Sequence, residues 1–126
     1  MGYTHYWKLG RDLTDDEVRR IAEFVPVLAG HAAAAGVPTH WEVNGHDDYF
    51  FSLNGIGDDG HETFGLSKKA TDFAFCKTAR KPYDSVVVAL LCWAHQCCPA
   101  FTWTSDGDDE PDYKDAGEAL LKQAEQ

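Results

Sequence analysis

One segment governs what this chain can fold into. From Tyr83 to Cys98 it holds a single charged residue, Asp84, and its other polar groups, Ser85, His95 and Gln96, stand near the ends. Between them Val86 to Ala94 is an unbroken apolar run. Nine residues cannot span a bilayer, which takes about 20. The run must be buried inside the protein. A helix that begins at Pro82 or Tyr83 and ends near Cys98, before Pro99, would be about 24 Å long. Apolar on every side, it reads as a central buried helix. The β-branched Val86-Val87-Val88 leaves a strand as the lesser possibility.

The rest of the chain supplies elements to cover that helix. Residues 3 to 9 alternate aromatic and polar, as a strand does. Thr14-Asp15-Asp16-Glu17 is a capping box, with Thr at the N-cap and Glu three residues on. Val18, Ile21, Ala22, Val25, Leu28, Ala29 and Ala32 follow at helical spacing. Pro26 is expected to kink or divide this helix, because it lacks the donor its turn needs. Gly36 before Val37-Pro38 is a stop signal. Trp41-Glu42-Val43 leads to Asn44-Gly45, a hairpin signal, and Tyr49 to Leu53 and Glu62 to Leu66 read as strands. Residues 67 to 82 read as a loop. Phe101 to Thr104 is a short strand, and Asp112 to Ala124 a last helix. The order β-α-β-β-β-α-β-α predicts an α+β fold, a mostly antiparallel sheet with about three helices. At 126 residues, one domain over 1–126 is expected.

Charge narrows the partners. Eleven Lys and Arg face 21 Asp and Glu, for a net charge of -10. That argues against nucleic acids and anionic membranes as direct partners, since both are polyanions. The start, Met1 to Trp7, lacks the basic region and apolar stretch of a secretory signal. Three of the four cysteines, Cys92, Cys97 and Cys98, crowd one segment, unlike a secreted disulfide framework. A cytoplasmic protein with reduced thiols is expected.

The negative charge is unevenly spread. Lys68, Lys69, Lys77, Arg80 and Lys81 lie within 14 residues that contain one acid, Asp72, so this window is +4 and the remainder -14. Lys77, Arg80 and Lys81 directly precede the start of the central helix, where free N–H groups and the dipole suit a phosphate or carboxylate. Arg80 could clamp such a group with two parallel hydrogen bonds. Two other readings stand beside this one: the island is a solvated surface that neutralises nearby acids, or Asp84 takes the anion position itself. Tyr83 would then bond a ligand or anchor the helix.

Other chemistry is less defined. His61-Glu62 follows a Gly/Asp loop and could form an acid–base pair, yet adjacent strand residues point to opposite faces. Cys76 beside Lys77 could be an activated thiol or a small buried residue. Cys92, His95 and Cys98 drift around a helix. Asp106, Asp108, Glu110 and Asp112 alternate as in a calcium loop, but its Gly and Glu positions hold Pro111 and Gly117. No metal site is expected, and no cofactor motif occurs.

Four blocks carry a resemblance: Gly2-Tyr3-Thr4-His5-Tyr6-Trp7; Asn54-Gly55 with His61-Glu62-Thr63-Phe64; Phe75 through Asp84; and Ser105-Asp106-Gly107. Together they resemble a family of small proteins encoded by phages and prophages. The resemblance covers most of the chain and implies an origin, in an infected or lysogenic host cell, and not an activity. It also implies that the blocks act together, in a site combining His5, His61 or Glu62, Lys77, Arg80, Tyr83 and Asp106.

Three functions compete. The first is a binding protein holding an anionic small molecule, such as a nucleotide, or an acidic host-protein surface, with Lys77, Arg80, Lys81, Tyr83, His5 and Asp106 as its site. The second is a hydrolase or transferase on a phosphate-containing substrate, with His61 or Glu62 as acid–base. The third is an acidic mimic of nucleic acid that occupies a host DNA-binding protein.

Overall fold

The computed structural model describes residues 4–43, 49–109 and 114–125. Over these, the chain runs β1 (Thr4–Leu9), α1 (Asp15–Ala34), β2 (Thr39–Val43), β3 (Phe51–Gly55), β4 (Phe64–Leu66), β5 (Thr71–Lys77), α2 (Asp84–Cys97), β6 (Phe101–Ser105) and α3 (Asp115–Ala124). The fold is α+β. Its strands form two antiparallel sheets of three, ordered β5-β1-β6 and β2-β3-β4, rather than one.

Helix α2 is the centre. Val86 to Leu91 are completely buried, six residues in a row. Helices α1 and α3 and strand β6 pack against it. Trp7 of β1 meets Phe64 of β4 edge to face at 5.3 Å, and Phe64 meets Phe51 of β3 at 5.8 Å. These rings join the two sheets into one core.

Local signals set the ends of α1. Thr14 accepts from the Glu17 amide at 3.1 Å, and the Glu17 carboxylate accepts from the Thr14 amide at 2.8 Å. At the other end Gly36 takes φ +94°. Val37 N–H then reaches Ala32 O at 2.8 Å and Gly36 N–H reaches Ala33 O at 3.0 Å, the Schellman pattern. Of the kink or division expected at Pro26, the division does not occur: α1 runs from Asp15 to Ala34. Pro26 sits on the exposed side, and the buried stripe Ile21, Val25, Leu28, Ala29, Ala32 continues across it. One lost backbone bond is outweighed by that packing.

A second departure is β5. Residues 67 to 82 read as a loop in the sequence, but Thr71–Lys77 is a strand paired with β1, Tyr6 opposite Phe75 and Trp7 opposite Ala74. Its alternation is inverted: Phe73 and Phe75 face out, while Cys76 is buried. Such a pattern does not announce a half-buried strand. Strands β2 and β3 pair as a hairpin, Val43 opposite Phe51; the Asn44-Gly45 turn lies outside the described residues.

Candidate functional site

Near its start β1, the central strand, carries His5 between Cys76 of β5 and Ser105 of β6. His5 is 0% exposed. Its Nε2 lies 2.6 Å from Asp84 Oδ1, and the same oxygen accepts from the Thr78 hydroxyl at 2.6 Å. Asp84 is the first residue of α2. A carboxylate is favoured there by the helix dipole. The protein's own carboxylate therefore stands at the start of α2, held by His5 and Thr78.

A second cluster lies beside it. Glu62 N–H donates to Lys77 O at 3.2 Å, and Lys77 N–H donates to Glu62 Oε1 at 2.7 Å. Tyr83, 0% exposed, donates its hydroxyl to Glu62 O at 2.5 Å. Cys76 Sγ approaches that carbonyl at 3.6 Å. On the other flank Asp106 accepts from the Thr4 amide at 3.2 Å and from the Tyr6 hydroxyl at 2.9 Å. The Asp106 bond raises the Tyr6 pKa, since an acceptor beside the phenol favours its protonated form. Segments of all four blocks singled out in the sequence therefore meet around β1 and the start of α2.

The candidate residues differ in what they offer. His5, Tyr83 and Asp106 point into the protein's own network. Glu62 is committed to Lys77. His61 is exposed, and its backbone is held by Asn54, whose Oδ1 takes the His61 amide at 3.0 Å. The Cys76 thiol is pushed up to about 12, first by burial and then by the Glu62 carboxylate. That argues against an activated thiol at Cys76. Cys92 is likewise pushed up to about 11 by burial. His95 Nδ1 lies 2.7 Å from Phe101 O. Among the described residues no three His, Cys, Asp or Glu gather as a metal-ligand set, and no helix is long and apolar enough to cross a membrane.

The outward surface is built by β5 and the turn behind it. Ala79 and Arg80 take φ +54° and +60°. Two successive left-handed residues that are not glycine are strained. Lys81 N–H closes the turn on Thr78 O at 3.0 Å, and Asp84 N–H follows on Lys81 O at 2.9 Å. Arg80 is exposed, and Lys77 and Lys81 are half-buried.

Along β5, side chains two apart share a face. Phe73, Phe75 and Lys77 therefore form one outward row that ends at this turn. Phe73 is 62% and Phe75 54% exposed. Their rings are 5.8 Å apart, and Tyr6 stands 6.0 Å from Phe73. Beside the row, a groove of about 650 Å³ runs along β5 toward β4, with Tyr49, Glu62, Thr63 and Lys69 also in its walls. Lys69 Nζ is 3.9 Å from Asp12. Sequence reasoning missed Phe73, Phe75 and Thr78. The signal for the rings was present as a period of two in Phe73-Ala74-Phe75.

Comparison with known protein families, with curated proteins and with solved structures found no match.

Proposed function

We propose that this protein is a binding protein for an anion that carries a flat ring, the chemistry of a nucleotide, and that β5 with its following turn is the acceptor surface. One observation carries the reading: Phe73, Phe75 and Lys77 succeed one another on one outward face and lead to exposed Arg80. Rings left in water beside cations suit a ligand that stacks at one end and is charged at the other. The adjoining groove, lined by Phe73 and Phe75 but by none of Lys77, Arg80 and Lys81, has room for the ring end. The local +4 in a chain of -10 concentrates positive potential where the anionic end would sit.

His5, Tyr83 and Asp106 serve by position. Asp84 anchors the turn to β1 through His5 and Thr78, and Tyr83 fixes Glu62 against the end of β5. The anionic end is held by the side chains of Lys77, Arg80 and Lys81, since the Asp84 carboxylate at the first turn of α2 disfavours a second anion there. The four blocks that resemble phage-encoded proteins are the ones that meet here, which accords with a small accessory protein acting by binding in a host cell.

Calorimetric titration with ATP, and with inorganic phosphate as the control without a ring, tests the reading. ATP binds, Phe75→Ala and Arg80→Ala each weaken it about 10-fold, and phosphate alone binds far less. No heat with ATP or any other nucleotide, or affinity indifferent to both substitutions, overturns it. Binding of oligoglutamate but not nucleotide would move the same surface to an acidic protein partner.

A further inference from the structure

Strand β2 is an edge of the second sheet. It is unusual in being open on both faces: His40, Trp41, Glu42 and Val43 are all exposed. Trp41 and Val43 stand opposite Leu53 and Phe51 of β3, both of them core residues. They therefore lie on the core face of the sheet. Yet they keep 38% and 39% of their surface in water. Helix α1 packs against β2, and the apolar layer still reaches the sheet edge with Trp41 and Val43 partly in water.

We propose that β2 pairs with β2 of a second copy of this chain, antiparallel about a two-fold axis at Trp41, joining two three-stranded sheets into one of six. An edge strand presents backbone donors and acceptors that another strand can take up. A two-fold interface must be self-complementary, and this strand is. With Trp41 opposite itself, His40 of each copy faces Glu42 of the other, and Thr39 faces Val43. In the single chain His40 Nε2 and Glu42 Oε2 are 3.9 Å apart on the outer face, with side chains 74% and 60% exposed. Pairing places the His40 imidazole of one copy across from the Glu42 carboxylate of the other. Trp41 and Val43 meet the other copy on the core face and extend the apolar layer across the axis.

Charge favours this edge over β5. Strand β5 has Lys68 and Lys69 before it and Lys77, Arg80 and Lys81 at its end, so self-pairing would oppose cation to cation. Strand β4 has three residues and runs beside the groove. β2 carries one acid and one histidine in five residues, so two copies of a chain of charge -10 meet there with little repulsion. The proposal stands independently of nucleotide binding.

Sedimentation of the full chain from low micromolar to submillimolar concentration tests it. A monomer–dimer equilibrium is expected. His40→Glu sets carboxylate against carboxylate at both crossings and raises the dimer dissociation constant about 10-fold. Glu42→Lys also weakens the dimer. An equimolar mixture of the two variants restores association, since one crossing then joins a carboxylate to an ammonium and the other is the unaltered His40–Glu42 pair. Both positions are exposed, and circular dichroism checks that the variants stay folded. A monomer at every concentration overturns the proposal, as does a dimer that neither variant weakens or a mixture that fails to associate.

Discussion

His5 and Asp84 are 79 residues apart in the chain, yet His5 Nε2 lies 2.6 Å from Asp84 Oδ1. The contact ties the centre of the first sheet to the first residue of the central helix. Thr78 shares the same oxygen. Asp84→Ala would remove the acceptor from a buried ring and from a buried hydroxyl, at a cost of about 3 kcal/mol. Asp84→Asn keeps an acceptor oxygen and costs less. Urea denaturation of the two variants gives the order; equal stability of Asp84→Ala and the parent would show that the contact does not hold the fold.

Cys76 provides a chemical check on the same region. With its pKa pushed up to about 12, it carries almost no thiolate at neutral pH. Iodoacetamide at about pH 8 should leave Cys76 unmodified in the native protein and modify it once urea is added. Peptide mass mapping reads this directly. Rapid native alkylation at Cys76 would restore the nucleophile reading.

Acid stability should depend on Glu17. Arg11 donates to both its carboxylate oxygens at 2.8 Å, and the Thr14 amide adds a third bond. These hold the carboxyl at about 2, against an ordinary 4.5. A carboxyl with a lower pKa when folded contributes stability that is complete above the unfolded value. That contribution declines as pH falls from 4.5 toward 2. Glu17→Gln keeps the capping-box geometry and loses the charge. Its urea midpoint should fall less steeply over this range than that of the parent, and parallel curves would refute the assignment.

Helices α2 and α3 touch closely at Gly117. A Cβ there would stand 2.5 Å from Val88 Cγ1 and 2.6 Å from Val88 Cβ. In an open helix Gly→Ala is stabilising by about 1 kcal/mol; here Gly117→Ala should destabilise by roughly 1–3 kcal/mol. Combining it with Val88→Ala should recover part of the loss. Thermal melts of the three variants test the contact, and additive losses in the double variant would place the cost elsewhere.

What the sequence disclosed was mostly local. The capping box at Thr14, the stop at Gly36 and the buried run from Val86 depend on neighbours within a turn or two. Each appears where its residues place it, and an α+β fold follows from their order. Strand β5 was not legible, because its large apolar side chains face outward and its pairing comes from β1, far away in the chain. The division into two sheets was hidden for the same reason: a strand's partners are not written beside it. Within the site, Lys77, Arg80 and Asp84 were visible as charge around a helix start, and the rivalry between Asp84 and an external anion could be stated. The burial of His5 could not, since the carboxylate that receives it, and the hydroxyl that shares that carboxylate, lie on a later helix and turn.

The central position of β1 has a consequence for how the chain reaches this state. Its pairing partners are β5 and β6, so Trp7 finds its cross-strand partners at Ala74 and Trp103. During synthesis β1 leaves the ribosome long before either strand exists. Until Phe101–Ser105 emerges, its sheet lacks one side, and Trp7 and Leu9 wait without their final cover. Helix α1 can form at once from contacts in its own sequence, whereas the first sheet closes late and across long loops. The site assembled around His5 is therefore among the last parts of the molecule to become complete, and its integrity reports that the whole chain has folded.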